Sequence, residues 1–234
     1  MRHSSAVLIS LFLLSVSCTF SQEHLYSVSF FGTYITSSKL YFDPNNPDDI
    51  LRAQNLPIEH IWGMGFDLRR SFEESGIQIG LSVERLAKTE IVYEPIGTST
   101  VIPVYDGYLA FPVELTGYFI IPFSNETVQM YMGGGGGVYF GVRHVEEGGV
   151  SARVVDKSAG FGIHVLSGLQ YNFASAMAIR CEVKFRDAQF KSTNQFNSGT
   201  GFVNATAVSL GTQPFDSRIS IDGMILSVGL AYRF

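Results

Sequence analysis

The sequence predicts an all-β fold: a closed, antiparallel, eight-stranded transmembrane β-barrel behind an export leader. Three observations carry this. Apolar and polar residues alternate at period two in eight separate segments, and no helical period is sustained over several turns. The connections between those segments alternate short and long without exception. After the leader no apolar run reaches the roughly 20 residues a membrane helix needs, yet 46% of residues are hydrophobic and only 16% charged.

Residues 1–21 read as a signal peptide. Arg2 and His3 give a basic start, and Ala6 to Val16 is almost wholly apolar, with Leu8, Ile9, Leu11, Phe12, Leu13 and Leu14 at its centre. The stretch is too short to span a bilayer and fits the apolar region of a leader. Thr19-Phe20-Ser21 offers a cleavage site that leaves Gln22 first. A lipoprotein signal ending at Cys18 is the alternative, although Leu14 lies one residue too far from that cysteine. A core helix is the remaining one. Residues 22–234 then form one barrel domain. The formal charge of −5 gives no sign of nucleic-acid binding. Cys181 is the only cysteine after the leader, which excludes an internal disulfide and a thiolate metal cluster.

The first strand, about Leu25 to Ile35, is the least regular. In the second, Trp62, Met64, Phe66 and Leu68 share one face, and Gly63, Gly65, Asp67 and Arg69 the other. In the third, Ile77, Ile79, Leu81 and Val83 oppose Gln78, Gly80, Ser82 and Glu84. In the fourth, Leu109, Phe111, Val113, Leu115 and Phe119 oppose Ala110, Pro112, Glu114, Thr116 and Tyr118. The fifth, about Thr127 to Val142, has Met130, Met132, Val138 and Phe140 on its apolar face. The sixth sets Phe161, Ile163, Val165, Leu169 and Tyr171 against Gly160, Gly162, His164, Gly168 and Gln170. The seventh is the clearest: Met177, Ile179, Cys181, Val183 and Phe185 oppose Ala178, Arg180, Glu182, Lys184 and Arg186. The eighth sets Met224, Leu226, Val228, Leu230, Tyr232 and Phe234 against Gly223, Ser227, Gly229, Ala231 and Arg233. In a membrane barrel the apolar faces meet lipid and the charged faces line the lumen.

Short turns are expected around residues 73–76, 122–126 and 172–176, and long loops over 37–59, 92–104, 144–158 and 190–218. Outer-membrane barrels have short periplasmic turns and long external loops, so both termini fall in the periplasm. Aromatic residues are expected in two interfacial girdles. Tyr26, Phe119, Phe123, Tyr171, Phe173, Tyr232 and Phe234 make the turn-side girdle, and Tyr34, Tyr41, Tyr93, Tyr105 and Phe190 the loop-side one.

These features resemble the small eight-stranded outer membrane β-barrel family, of the OmpA/OmpX-like and PorT-like kind. The resemblance rests on Phe20-Ser21-Gln22, the segment Ala110 to Phe119, the Gly-rich strand Gly133 to Gly141 and the ending Gly229-Leu230-Ala231-Tyr232-Arg233-Phe234. It implies residence in the outer membrane of a Gram-negative bacterium, among outer-membrane lipids and lipopolysaccharide. It also implies delivery by periplasmic chaperones to the barrel-assembly machinery, which reads Leu226, Val228, Leu230, Tyr232 and Phe234 as its signal. It implies no single activity.

The candidate chemistry is a lumen charge network of Asp67, Arg69, Glu84, Glu114, Arg180, Glu182, Lys184 and Arg186. An eight-stranded barrel has room only for side chains, and unpaired charges there would be costly, so a salt-bridged plug is expected. A porin-like narrow pore for small solutes is the alternative. An outer-membrane lipid-modifying enzyme or protease is a further one, but no Gly-x-Ser-x-Gly elbow or i, i+4 His pair is present, and His164 and Ser167 fall on opposite faces of one strand. The run Gly133 to Gly137 lacks the Lys-Ser/Thr of a phosphate loop and reads as a site of close backbone approach. Asp43, Asn45, Asp48 and Asp49 do not follow a calcium-loop spacing, and Pro47 to Gln54 reads as a short helical turn. No cofactor is expected. The first and fourth long loops are the expected ligand contacts. The function expected is a structural or surface-interaction role in the outer membrane.

Overall fold

The computed structural model describes residues 25–72, 75–96, 100–125, 127–203 and 206–234. The leader expected over 1–21 lies outside them. Along the chain the elements are β1 (Tyr26–Tyr41), α1 (Asp49–Ala53), β2 (Asn55–Phe72), β3 (Ile77–Ile96), β4 (Thr100–Ile120), β5 (Val128–Glu147), β6 (Val150–Ser151), β7 (Arg153–Ser158), β8 (Gly160–Asn172), β9 (Met177–Gln195), β10 (Thr200–Val203), β11 (Thr206–Ser209), β12 (Phe215–Ile221) and β13 (Met224–Arg233).

Eight of them close a ring, in the order β1, β2, β3, β4, β5, β8, β9, β13 and back to β1, every pair antiparallel. Closure leaves no free sheet edge in the wall. The seam is tied at its short-turn end by reciprocal backbone bonds between Tyr26 and Phe234, at 3.0 and 2.9 Å.

The register fixes the shape. Phe119 of β4 pairs with Met132, then Ser167, Val183, Leu226, Tyr34, Trp62, Ala87 and finally Leu109, back on β4 but ten residues away. A stagger of ten over eight strands corresponds to a tilt of roughly 40° and a radius of roughly 8 Å. Such a ring encloses side chains and little else.

The period-two reading of the faces holds through the membrane belt of all eight wall strands; beyond it the phase slips by one residue between Ile35 and Ser38 in β1 and at His60, whose φ is +54°, in β2. Phe30, Trp62, Phe66, Leu115, Ile163, Val165, Phe185 and Val228 stand exposed on the outside, while Asp67, Glu84, Glu114, Arg180 and Arg186 are buried inside. A surface this apolar has lipid as its solvent, so the barrel is a transmembrane one.

The connections differ from expectation. Strand pairing continues well past the belt: β3 and β4 pair as far as Ile96 and Thr100, so the expected loop over 92–104 is a projecting hairpin. The segment 190–218 carries the end of β9, the β10–β11 hairpin and β12, and 144–158 carries β6 and β7. Only 37–59 keeps a helical turn, α1, capped by Asp48, whose carboxylate accepts from the backbone of Ile50 and Leu51. Phe190 is the other correction. It is 1% exposed and points inward, because it shares the lumen phase of β9 with Arg186 and Ala188. Tyr93 and Tyr105 stand on the projecting hairpin, pairing with Pro103 and Ile91, above the girdle expected to hold them.

Gly133, Gly135 and Gly137 face inward on β5. A Cβ at these positions would come within 2.6, 1.9 and 2.6 Å of the carbonyl oxygens of Gly117, Leu115 and Val113, and the Glu114 and Tyr118 side chains fill the space beside them. The run therefore permits a tight curl of β5 on β4 and makes room for large side chains from that neighbour.

Gly135→Val is expected to destabilise the barrel by about 1–3 kcal/mol through this collision. The readouts are a lower urea midpoint and a smaller folded fraction on unboiled gels. Gly32→Ala, at a position with open space around it, is expected to leave both unchanged.

Candidate functional site

The interior is a stack of layers, and β9 runs through all of them. Its inward residues are Ala178, Arg180, Glu182, Lys184, Arg186, Ala188, Phe190, Ser192 and Asn194, in alternation with exposed ones. The structure brings together all eight charged residues singled out in the sequence, as two adjoining quartets.

Asp67, Arg69, Arg180 and Glu182 form the quartet nearer the short turns. Arg69 Nε lies 2.5 Å from Asp67 and its Nη2 2.5 Å from Glu182, while Arg180 Nη1 lies 3.1 Å from Asp67. Arg180 also donates to Gln170 at 2.8 Å and Ser27 at 2.7 Å. Tyr131 donates to Glu182 at 2.7 Å. The Arg69 guanidinium lies 3.9 Å from the centre of the Tyr118 ring, a cation–π contact out of water.

Glu84, Glu114, Lys184 and Arg186 form the second quartet. Lys184 Nζ donates to Glu114 at 2.7 Å and Glu84 at 3.2 Å. Arg186 donates to the same two carboxylates at 2.7 and 2.9 Å. Tyr139 donates to Glu114 at 2.6 Å. His164, 2% exposed, bonds Thr116 at 2.8 Å through Nε2. Each quartet holds two acids and two bases, so each layer is neutral. The cavity beside them is about 20 Å³, room for about one water.

Above the second quartet the lumen turns apolar. Ile35, Ile61, Leu86, Tyr108, Phe190, Ile221 and Ile225 belong to a buried cluster that closes the section. Next comes a third charged layer, the ion pair of Arg143 with Asp106, bidentate at 2.8 and 2.5 Å, with Arg143 also donating to Ser217 at 2.7 Å. Over it the strand extensions bury their own apolar cluster, including Ile102, Val145, Phe196, Val208 and Leu210. Arg143, Asp106 and the apolar disc were absent from the sequence reading. Arg143 continues the inward phase of Tyr139, and Asp106 that of Tyr108, so carrying the period-two count one residue past Val142 and three residues before Leu109 finds both.

The remaining candidates are engaged locally. Asp43 accepts from Asn46, Asn45 donates to Asp216, Asp48 caps α1, and Asp49 pairs with Arg52. Leu226, Val228, Leu230, Tyr232 and Phe234 all face outward, and the Phe234 ring stacks near those of Tyr26 and Tyr232.

No family model and no curated protein matches the chain. Solved structures do. The outer membrane protein OprG from Pseudomonas aeruginosa is 14% identical at a TM-score of 0.51, over 89% of this chain and 95% of that one. Neisserial surface protein A is 10% identical at a TM-score of 0.47, over 89% and 97%. Ail, the attachment invasion locus protein of Yersinia pestis, is 14% identical at 0.46, over 91% and 100%. At this identity the likeness to OprG concerns the fold alone.

Glu114→Gln leaves Lys184 and Arg186 to share Glu84. Breaking a buried ion network by removing one partner costs about 3–5 kcal/mol, and a fall of that size is expected in urea unfolding of the refolded barrel. Asp49→Asn, which removes the solvent-exposed pair with Arg52, is expected to change stability by less than about 1 kcal/mol.

Proposed function

We propose that this chain is an integral protein of the outer membrane of a Gram-negative bacterium, and that it works through its external surface while the barrel serves as a sealed anchor. The observation that carries this is the lumen. A solute entering from the periplasm meets two neutral ion layers and then an apolar disc, in a section already filled by side chains. Displacing either quartet would strand buried charges, so transport has no inexpensive route through the wall's interior.

The external part is built for rigidity. Its apolar cluster is a small core of its own, and the wall strands run into it without a break in β4, β5 and β9. The outer face of the β3–β4 hairpin keeps Ile91, Tyr93, Val101 and Tyr105 exposed. An exposed apolar patch on a rigid support suits a protein contact. The fourth long loop, expected to supply contacts, instead spends Phe196, Val208 and Leu210 on the internal cluster. The route to the membrane follows from the outward row ending at Phe234: periplasmic chaperones would carry the unfolded chain, and the assembly machinery would engage that row.

Two measurements test the reading. In planar bilayers the purified barrel is expected to stay electrically silent, and stable, reproducible conductance steps would overturn the sealed anchor. On intact cells, Tyr93→Cys is expected to react with a membrane-impermeant maleimide while Cys181, whose side chain faces lipid, stays unlabelled. Labelling only after cell lysis would place the hairpin on the wrong side.

A further inference from the structure

We propose that the outer wall where β9, β12 and β1 meet binds the phosphate of an outer-leaflet glycolipid, the lipid A class of headgroup, through Lys191 and Arg218. The inference rests on the membrane placement given above and assigns one lipid contact within it.

Lys191 and Arg218 are directly opposite one another across the β9–β12 pairing, and Arg218 is in turn opposite Tyr41 of β1. Lys191 alternates with buried Phe190 and Ser192, so it faces out. Like charges directly opposite on adjacent strands repel. Nearby exposed cations relieve this with a carboxylate: Lys39 pairs with Asp222 at 2.7 Å. Among the described residues neither Lys191 nor Arg218 has an acidic partner within 4.0 Å. Asp216 and Asp156, the acids closest in register, both stand opposite Thr193; Asp216 is engaged by Thr193 at 2.7 Å and Asn45 at 2.9 Å, and Asp156 lies beyond ion-pair distance of both cations. Arg218 has its guanidinium 4.3 Å from the Tyr41 ring centre, and its Nε is buried with no partner. Two adjacent cations, one of them preorganised on an aromatic face, thus have no carboxylate in contact.

A groove of about 270 Å³ lies against them, where the wall is interrupted at Ala159 between β7 and β8. Ser158 and Gln189 add polar groups to its lining. Its height is the second observation. Lys191 lies twelve residues beyond Ile179, the first fully lipid-facing residue of β9, or roughly 30 Å up a strand tilted by about 40°. The apolar band of such barrels is roughly 25 Å tall. The pair therefore stands just above the hydrocarbon on the long-loop side, at the level of outer-leaflet headgroups. Arg offers paired donors to phosphate and Lys a point charge.

The test uses the full barrel in phosphatidylcholine nanodiscs doped with diphosphoryl lipid A, read by native mass spectrometry. Wild type is expected to retain the lipid, and Lys191→Gln/Arg218→Gln about 10-fold less, as expected for loss of a charge-assisted contact. Dephosphorylated lipid A should be held no better by wild type than by the variant, and millimolar inorganic phosphate should not displace the lipid. Equal retention by wild type and variant, equal retention of the dephosphorylated lipid by wild type, or displacement by free phosphate would each overturn the assignment. The wild-type comparison of the two lipids needs no variant to fold. Failure of wild type to insert into the nanodisc at all would count against the membrane placement instead.

Discussion

A backbone that crosses hydrocarbon cannot leave its N–H and C=O groups unpaired, and everything else in this molecule follows from that constraint. A single ring of strands satisfies it only by closing. Closing eight strands with a stagger of ten residues fixes a narrow bore. A narrow bore must be filled with side chains, because a dry void or a lone buried charge would cost several kcal/mol. The lumen is accordingly packed in neutral layers, each acid facing a base from another strand: Asp67 of β2 with Arg180 of β9, Glu84 of β3 and Glu114 of β4 with Lys184 and Arg186.

The ion layers are better understood as setting register than as adding stability. A buried pair often does no better than well-packed apolar residues of the same volume. Register is different. A slip of β9 by one residue would turn Arg180, Glu182, Lys184 and Arg186 into lipid together, and each cation at mid-bilayer costs roughly 2–4 kcal/mol. The inward glycines of β5 act on the same side of the problem. They let β5 lie against β4 closely enough for Glu114 and Tyr118 to fill the bore.

How much of this the sequence reveals depends on whether a residue's chemistry matches its face. Met177 to Arg186 is legible because lipid and lumen call for opposite residue types there, and the alternation is complete. The apolar disc is hidden because at its height the inward face is apolar while the outward face is mixed, so chemistry no longer tells the two faces apart. Around Leu86 the pattern is even inverted, with exposed Arg85 outside and Leu86 buried inside. Phe190 was misplaced for this reason: an aromatic near a strand end fits a girdle as well as a plug, and only the phase from Arg186 distinguishes them. The interruptions are hidden too. The register of β1 shifts by one residue between β13 and β12, and a Cβ on Gly223 would lie 2.3 Å from the Ser37 carbonyl oxygen. Nothing in the local sequence sets that glycine apart from Gly229. The strand extensions read as loops because, beyond the membrane, neither face is obliged to be apolar.

That change of solvent along each strand also decides where unpaired charge is permissible. Inside the bore, Arg69, Arg180, Lys184, Arg186 and Arg143 each have a carboxylate in contact, since nothing else there could neutralise them. In hydrocarbon, on the outer face, charge is largely absent. Far above the membrane, water and salt screen whatever is placed there. The headgroup layer is the one zone where a cation can leave its anion to the lipid and remain folded without an internal partner. Lys191 and Arg218, opposed in register with no carboxylate in contact, are the pair we assign to that zone. The rule that forces pairing within the lumen is therefore the same rule that makes their solitude informative.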